Sequence, residues 1–222
     1  MSHGFFVVGG PQAAGKSSTI KYLHSKYCST VPMDENVYKN LVALQEMRQI
    51  IIHKYSILGA IFMDKSDEIE IVENDLKRMD NILDLDDDRI YLDECNIFTL
   101  AHLKNHCIEA NKYFHEYCDR LRRLDASIMF LGISPEISWQ RRKKRYEERI
   151  EGFPPDERET IMRSYKEYLF ELHPRISELY EELDFPKTKI DAEILSEYLL
   201  LKASESFEEM MKRYEAGLTR RF

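Results

Sequence analysis

Between Gly9 and Ser18 the chain reads GGPQAAGKSS, directly after the apolar run FFVV. Gly10, Gly15, Lys16 and Ser17 fit the pattern GxxxxGK[ST] without deviation. Composition alone produces that pattern in about one chain in a hundred of this length. Here it also follows a run that reads as a buried strand and opens a stretch that reads as a helix, the context such a loop requires. The chemistry it supports is polyphosphate binding. Glycines permit backbone conformations that let successive N–H groups point inward, and the helix N-terminus adds unsatisfied donors and its positive dipole end. Lys16 supplies a point charge for the β and γ phosphates, and the Ser17 hydroxyl an oxygen ligand for Mg2+. Gly10, Pro11, Gln12, Ala13, Ala14, Gly15, Lys16, Ser17 and Ser18 are therefore expected to contact a nucleotide, with ATP and Mg2+ as the cofactors. The alternative is a glycine-rich turn on a structural helix.

Carboxylates and arginines elsewhere extend the set. The strand read at RIYL runs into DECN, which places Asp93 at a strand end, where open α/β sheets hold their ligands and a second Mg2+ contact is expected; capping of the next helix is the competing role. Glu94 orients a water, meets an acceptor, or faces solvent. A second acidic pair, Asp34 and Glu35, follows the weaker strand TVPM and is expected to engage a substrate hydroxyl, with helix capping again the alternative. After a further strand comes SPEISWQRRKKRYEER, in which Arg141, Arg145 and Arg149 recur every four residues and share one helix face beside Arg142. Such a face either closes over transferring phosphoryl charge or is solvated and paired with Glu147, Glu148 and Glu151.

These residues need a scaffold, and the pattern describes one. Short apolar runs at FFVV, RIYL and SIMFLGI, with weaker ones at TVPM and TKI, alternate with long amphipathic stretches. Apolar strands separated by helices imply a parallel sheet covered on both faces. The fold class is α/β, with five strands expected in one domain over 1–222. Residues 35–88 exceed a simple crossover and read as a helical insertion, an acceptor lobe, ending in the acidic loop DLDDDR. Residues 141–157 read as a lid, and Pro174 is expected to interrupt the last long helical stretch before TKI.

Composition narrows the function. The 222 residues carry a formal charge of -8, which argues against a surface built to grip nucleic acid. No apolar run is long enough to cross a bilayer, and the start lacks a basic leader, so a cytoplasmic chain without a membrane partner is expected. The four cysteines show no metal-binding spacing and read as reduced, structural thiols.

The loop and the SPEISWQRRKKR segment together resemble P-loop kinases of nucleosides and nucleotides, the group containing thymidylate kinases and deoxynucleoside kinases. The resemblance implies the three-layer P-loop fold and transfer of the γ-phosphate of ATP to a small hydroxyl-bearing acceptor, a nucleoside or nucleotide; a homodimer is compatible with it. It assigns Arg141 and Arg145 to the lid over the phosphates and places the FPKTKIDAE segment, ending at Asp191, near the adenine. Two signatures depart from the group: DENV lacks the proline of Glu-Pro-Val, and DECN lacks the arginine that would hold an acceptor phosphate. The rival functions are an ATP-hydrolysing switch, with Glu94 positioning water, and a nucleic-acid-end kinase or binding module using RRKKR.

Overall fold

Because FFVV and its counterparts are apolar on both faces, they can be stable only between two layers of helix. A computed structural model describes residues 4–30, 41–44, 65–85, 89–94 and 96–219. The elements run β1 (Gly4–Gly9), α1 (Lys16–Thr30), β2 (Leu41–Leu44), α2 (Lys65–Leu83), β3 (Ile90–Glu94), a 3-10 segment (Asn96–His106), α3 (Cys107–Arg123), β4 (Ala126–Gly132), α4 (Pro135–Arg149), α5 (Pro155–Glu182), β5 (Lys187–Asp191) and α6 (Ser196–Thr219). The strands form one parallel sheet in the order β2-β3-β1-β4-β5.

Four of these strands coincide with the expected runs. The edge strand does not: Thr30 of TVPM ends α1, the rest of that run lies outside the described residues, and the segment pairing with β3 is LVAL, Leu41–Leu44. A strand therefore sits inside the 35–88 stretch read as a helical insertion. LVAL is four consecutive apolar residues with no polar alternation, which periodicity cannot assign to strand or buried helix.

Side-chain alternation along the strands divides the core in two. Phe5, Val7, Tyr91, Ile128 and Phe130 face Val72 and Met79 of α2, Tyr117 and Leu121 of α3 and Leu172 and Ile176 of α5. Phe6, Val8, Leu92, Met129 and Leu131 face Ile20 and Leu23 of α1 and Leu199, Phe207 and Met211 of α6. The α5 helix continues through Pro174 from Pro155 to Glu182. The proline sits at an exposed position while its buried neighbours Leu172, His173 and Ile176 keep the helix on the core, so tertiary packing offsets the lost backbone hydrogen bond. The Cys118 thiol is free and buried, and burial pushes it up to about 11, as suits a structural cysteine.

The order of the strands fixes where a ligand can sit. β1 is central, its next strand in sequence lies on one side and β4 on the other, so the crevice at its carboxyl end is the switch point of the sheet. The last residue of β1, Gly9, has no room for a side chain: a Cβ there would lie 2.0 Å from the Phe98 ring. Gly9→Ala is expected to destabilise the fold by about 1–3 kcal/mol through overpacking, read as a lower urea midpoint, and Phe98→Leu in the same chain should restore part of the loss. An unchanged midpoint for Gly9→Ala would show that the 3-10 segment is not packed against the loop.

Candidate active site

The loop after β1 is shaped by three residues in the left-handed region: Gly10 at φ 134°, Ala13 at 60° and Gly15 at 95°. At Gly10 a Cβ would also approach the Leu131 carbonyl oxygen to 2.3 Å, so only glycine fits. Ala13 holds a conformation that an L-residue disfavours, a form of strain found at ligand-binding loops. Lys16, 8% exposed, begins α1 and donates to the carbonyls of Gly10 at 2.9 Å and Pro11 at 2.7 Å. Its ammonium therefore lies within the curve of the loop. Ala14 packs into the core on the α1 face, while Ser18 is exposed.

β3 delivers its two carboxylates to opposite sides. Val7 pairs with Asp93 and Val8 with Glu94, so Glu94 shares the α1 face and Asp93 the α2 face. Ser17 Oγ donates to Glu94 Oε1 at 3.3 Å. Asp93, 1% exposed, is held by both of its oxygens: Arg78 Nη1 donates to Oδ1 at 2.8 Å and Nη2 to Oδ2 at 2.6 Å, and Asn96 Nδ2 donates to Oδ2 at 2.8 Å. This differs from the expected pairing of Ser17 with Asp93, because the two-residue period of a strand cannot turn both carboxylates toward one helix. Arg78 also pairs with Asp75, which accepts from Tyr117 Oη at 2.8 Å. Burial pushes Asp75 up to about 6 against the pull of Arg78, with the charge of Asp93 adding to the rise. Two carboxylates sharing one guanidinium fasten α2 and α3 to β3.

On the other flank α4 starts at Ser134, whose Oγ accepts from the Ile137 amide at 3.4 Å, with Pro135 at the first helical position. Arg141 Nη2 donates to the Ala192 carbonyl at 2.8 Å and Nη1 to the Ala13 carbonyl at 3.3 Å. It thus joins the loop to the turn after β5, where Ser134 N also donates to Glu193 Oε1 at 2.7 Å. Arg145, one turn on, is exposed and makes no hydrogen bond or ion pair among the described residues. Arg149 is held below its ordinary value by lost hydration and then by the like charge of Arg145. Of the expected acidic neighbours, Glu147 pairs with Lys143 at 3.6 Å.

Asp34 and Glu35 lie outside the described residues. Sequence reasoning missed Arg78 and His173. The charged pair Asp75 and Arg78 interrupting the apolar face of Val72, Leu76 and Met79 was a legible signal for the first.

No protein-family model and no curated protein matches the sequence. The fold is shared with solved structures of a deoxyadenosine kinase and of the YorR protein. One is a deoxyadenosine kinase from M. mycoides with the products dCMP and a flexible dCDP bound, at TM-score 0.54 and 18% identity over 92% of this chain and 99% of that one. The same kinase with bound dATP gives TM-score 0.53 and 19% identity over 93% of this chain and 100% of that one. The YorR protein of Bacillus subtilis, in complex with phosphorylated GDP, gives 0.51 and 13% over 94% and 98%.

His173 of α5 lies 4% exposed. Burial pushes it down from 6.5 to about 4, the bond with the Ile133 backbone opposing this and Lys16 reinforcing it. The folded state thus keeps this imidazole neutral while the unfolded chain takes up a proton below 6.5, so its contribution is complete above that value and is lost as pH falls toward 4. Asp75 works in the opposite sense over part of the window, so the test is a difference. The thermal midpoint of the wild type minus that of His173→Leu should rise by a few degrees as pH rises from 4 to 6.5. A constant gap would contradict the shift.

Proposed function

We propose that the chain is a P-loop phosphotransferase that moves the γ-phosphoryl group of ATP to a small hydroxyl-bearing acceptor, with a nucleoside or nucleotide favoured. One observation carries this reading: Lys16, Ser17, Glu94 and Arg141 converge on a loop with three left-handed residues, at the switch point of the sheet. The fold neighbours that bind dATP, dCMP with dCDP, and phosphorylated GDP support the acceptor class.

The donor set fits Mg2+, which takes oxygen ligands and commonly uses one or two protein groups plus phosphates and water. The Ser17 hydroxyl and the Glu94 carboxylate are two such groups at 3.3 Å. Asp93 does not fit, since Arg78 and Asn96 hold both of its oxygens. The metal, when bound, offsets phosphate charge. Ser17 and Glu94 orient it, the loop amides and Lys16 hold the β and γ phosphates, and Arg141 with the exposed Arg145 offsets charge on the group in transfer. Catalysis of this kind is mostly positioning and electrostatics. The segment 141–157 serves as the lid and the 35–88 stretch contributes to the acceptor lobe in this reading.

With ATP and Mg2+, a panel of nucleosides, nucleoside monophosphates, sugars and aminoglycosides should include at least one compound that stimulates ADP formation. Lys16→Met should lower that stimulated rate by about a hundredfold or more. ADP formation that no acceptor changes would favour the hydrolytic switch, with Glu94 placing water, over the transferase.

A further inference from the structure

Gln12 occupies the loop between its two motif glycines, and α4 and α5 grip it by backbone and side chain. Ser138 Oγ donates to its carbonyl at 2.6 Å. Its side-chain Oε1 accepts from Arg142 Nη1 at 2.8 Å and from Tyr165 Oη at 2.8 Å. Arg142 Nη1 also donates to Tyr165 Oη at 3.3 Å and to Tyr146 Oη, and its guanidinium lies 5.6 Å from the Tyr146 ring centre. The Tyr146 hydroxyl in turn donates to that of Tyr165. Ser138, Tyr146 and Tyr165 are buried, at 0%, 3% and 2% exposed, and Trp139, Met162 and Phe170 pack around the tyrosines.

Two features separate this cluster from ordinary helix packing. Its acceptors for the Arg142 cation are an amide and two phenols; among the described residues no carboxylate pairs with it. A cation so placed, one residue from Arg141 and in direct contact with the loop, adds to the field that draws phosphate and gains from an anion arriving there. The polar groups are also mutually satisfied through Gln12, and such a network holds one geometry when complete and loses it when one member is removed.

We propose that Arg142 is a positioning residue for the phosphate loop: acting through Gln12, with Ser138 and Tyr165, it fixes the first half of the loop and couples it to the α4–α5 hairpin that carries Arg141 and Arg145. Nucleotide binding at the loop is thereby felt in the hairpin, and the aim of the two outer arginines depends on a residue that touches neither phosphate nor acceptor. The inference rests on the phosphotransferase reading only for what the hairpin does next. The coupling itself needs nothing beyond nucleotide binding.

The chain has one tryptophan, Trp139, and it packs on this cluster, so its emission reports the hairpin. Binding of Mg2+ with a non-hydrolysable ATP analogue should change Trp139 emission in the wild type. Gln12→Leu and Arg142→Met should each weaken analogue binding by about tenfold, and the double variant should bind no more weakly than the weaker single, the signature of one shared interaction. Arg142→Lys should recover part of the affinity, and both singles should lose the emission change at saturating analogue. Tyr165→Phe, which removes one hydroxyl, gives a milder variant in case a larger change unfolds the chain, and should weaken binding in the same direction. Additive losses in the double variant, or affinities and emission changes equal to the wild type, would overturn the proposal. A wild type that binds the analogue but shows no acceptor-dependent ADP formation would sink the transferase reading and leave this cycle intact.

Discussion

Successive side chains on a strand point to opposite faces of the sheet, and in β3 this rule gives two adjacent carboxylates different partners. Glu94 falls on the α1 face with Ser17, and Asp93 falls on the α2 face with Arg78. Everything at the site depends on that division. If both acids served the loop, α2 would lose the anchor that ties it to the central strands, and Arg78 would be left buried beside Asp75 alone. If both served the core, the loop would face no carboxylate from β3. Breaking such a buried pair by removing one partner is costly, because the remaining charge stays desolvated.

The loop is consequently supported from several directions. α1 is its continuation, β3 supplies Glu94 from below, and α4 holds it through Arg141 at Ala13 and through Ser138 and Arg142 at Gln12. Lys16 closes the curve from inside by bonding to Gly10 and Pro11. Ala13, at φ 60°, is strained, and its conformation persists because these contacts over-determine the loop. Such preorganisation matters for phosphoryl transfer, where the protein contributes placement more than covalent chemistry.

The parts of this arrangement that were legible in the sequence are the local ones. GxxxxGKS announces a turn whose geometry is encoded in its own glycines, and SPEI announces a helix start encoded in its own cap, so both needed no tertiary information. The parts that were not legible are settled between elements. LVAL reads equally well as strand or buried helix, and only its pairing with β3 decides; Asp34 and Glu35, expected to follow a strand at TVPM, lie outside the described residues. YLDE announces two acids at a strand end, but which one meets Ser17 on the α1 side and which meets Arg78 of α2 depends on the register against β1. Arg142 was visible only as part of a basic run, because its partners Gln12 and Tyr165 lie 130 and 23 residues away.

Calorimetric titration of the ATP analogue with and without Mg2+, combined with an unfolding curve for each variant, separates the roles proposed for Asp93 and Glu94. Glu94→Gln should lose about tenfold or more of the Mg2+-dependent gain in affinity while its unfolding midpoint stays near that of the wild type. Asp93→Asn should lower the unfolding midpoint and keep the Mg2+-dependent gain. The reverse pattern, with Asp93→Asn abolishing the metal effect and Glu94→Gln keeping it, would assign the metal contact to Asp93 instead.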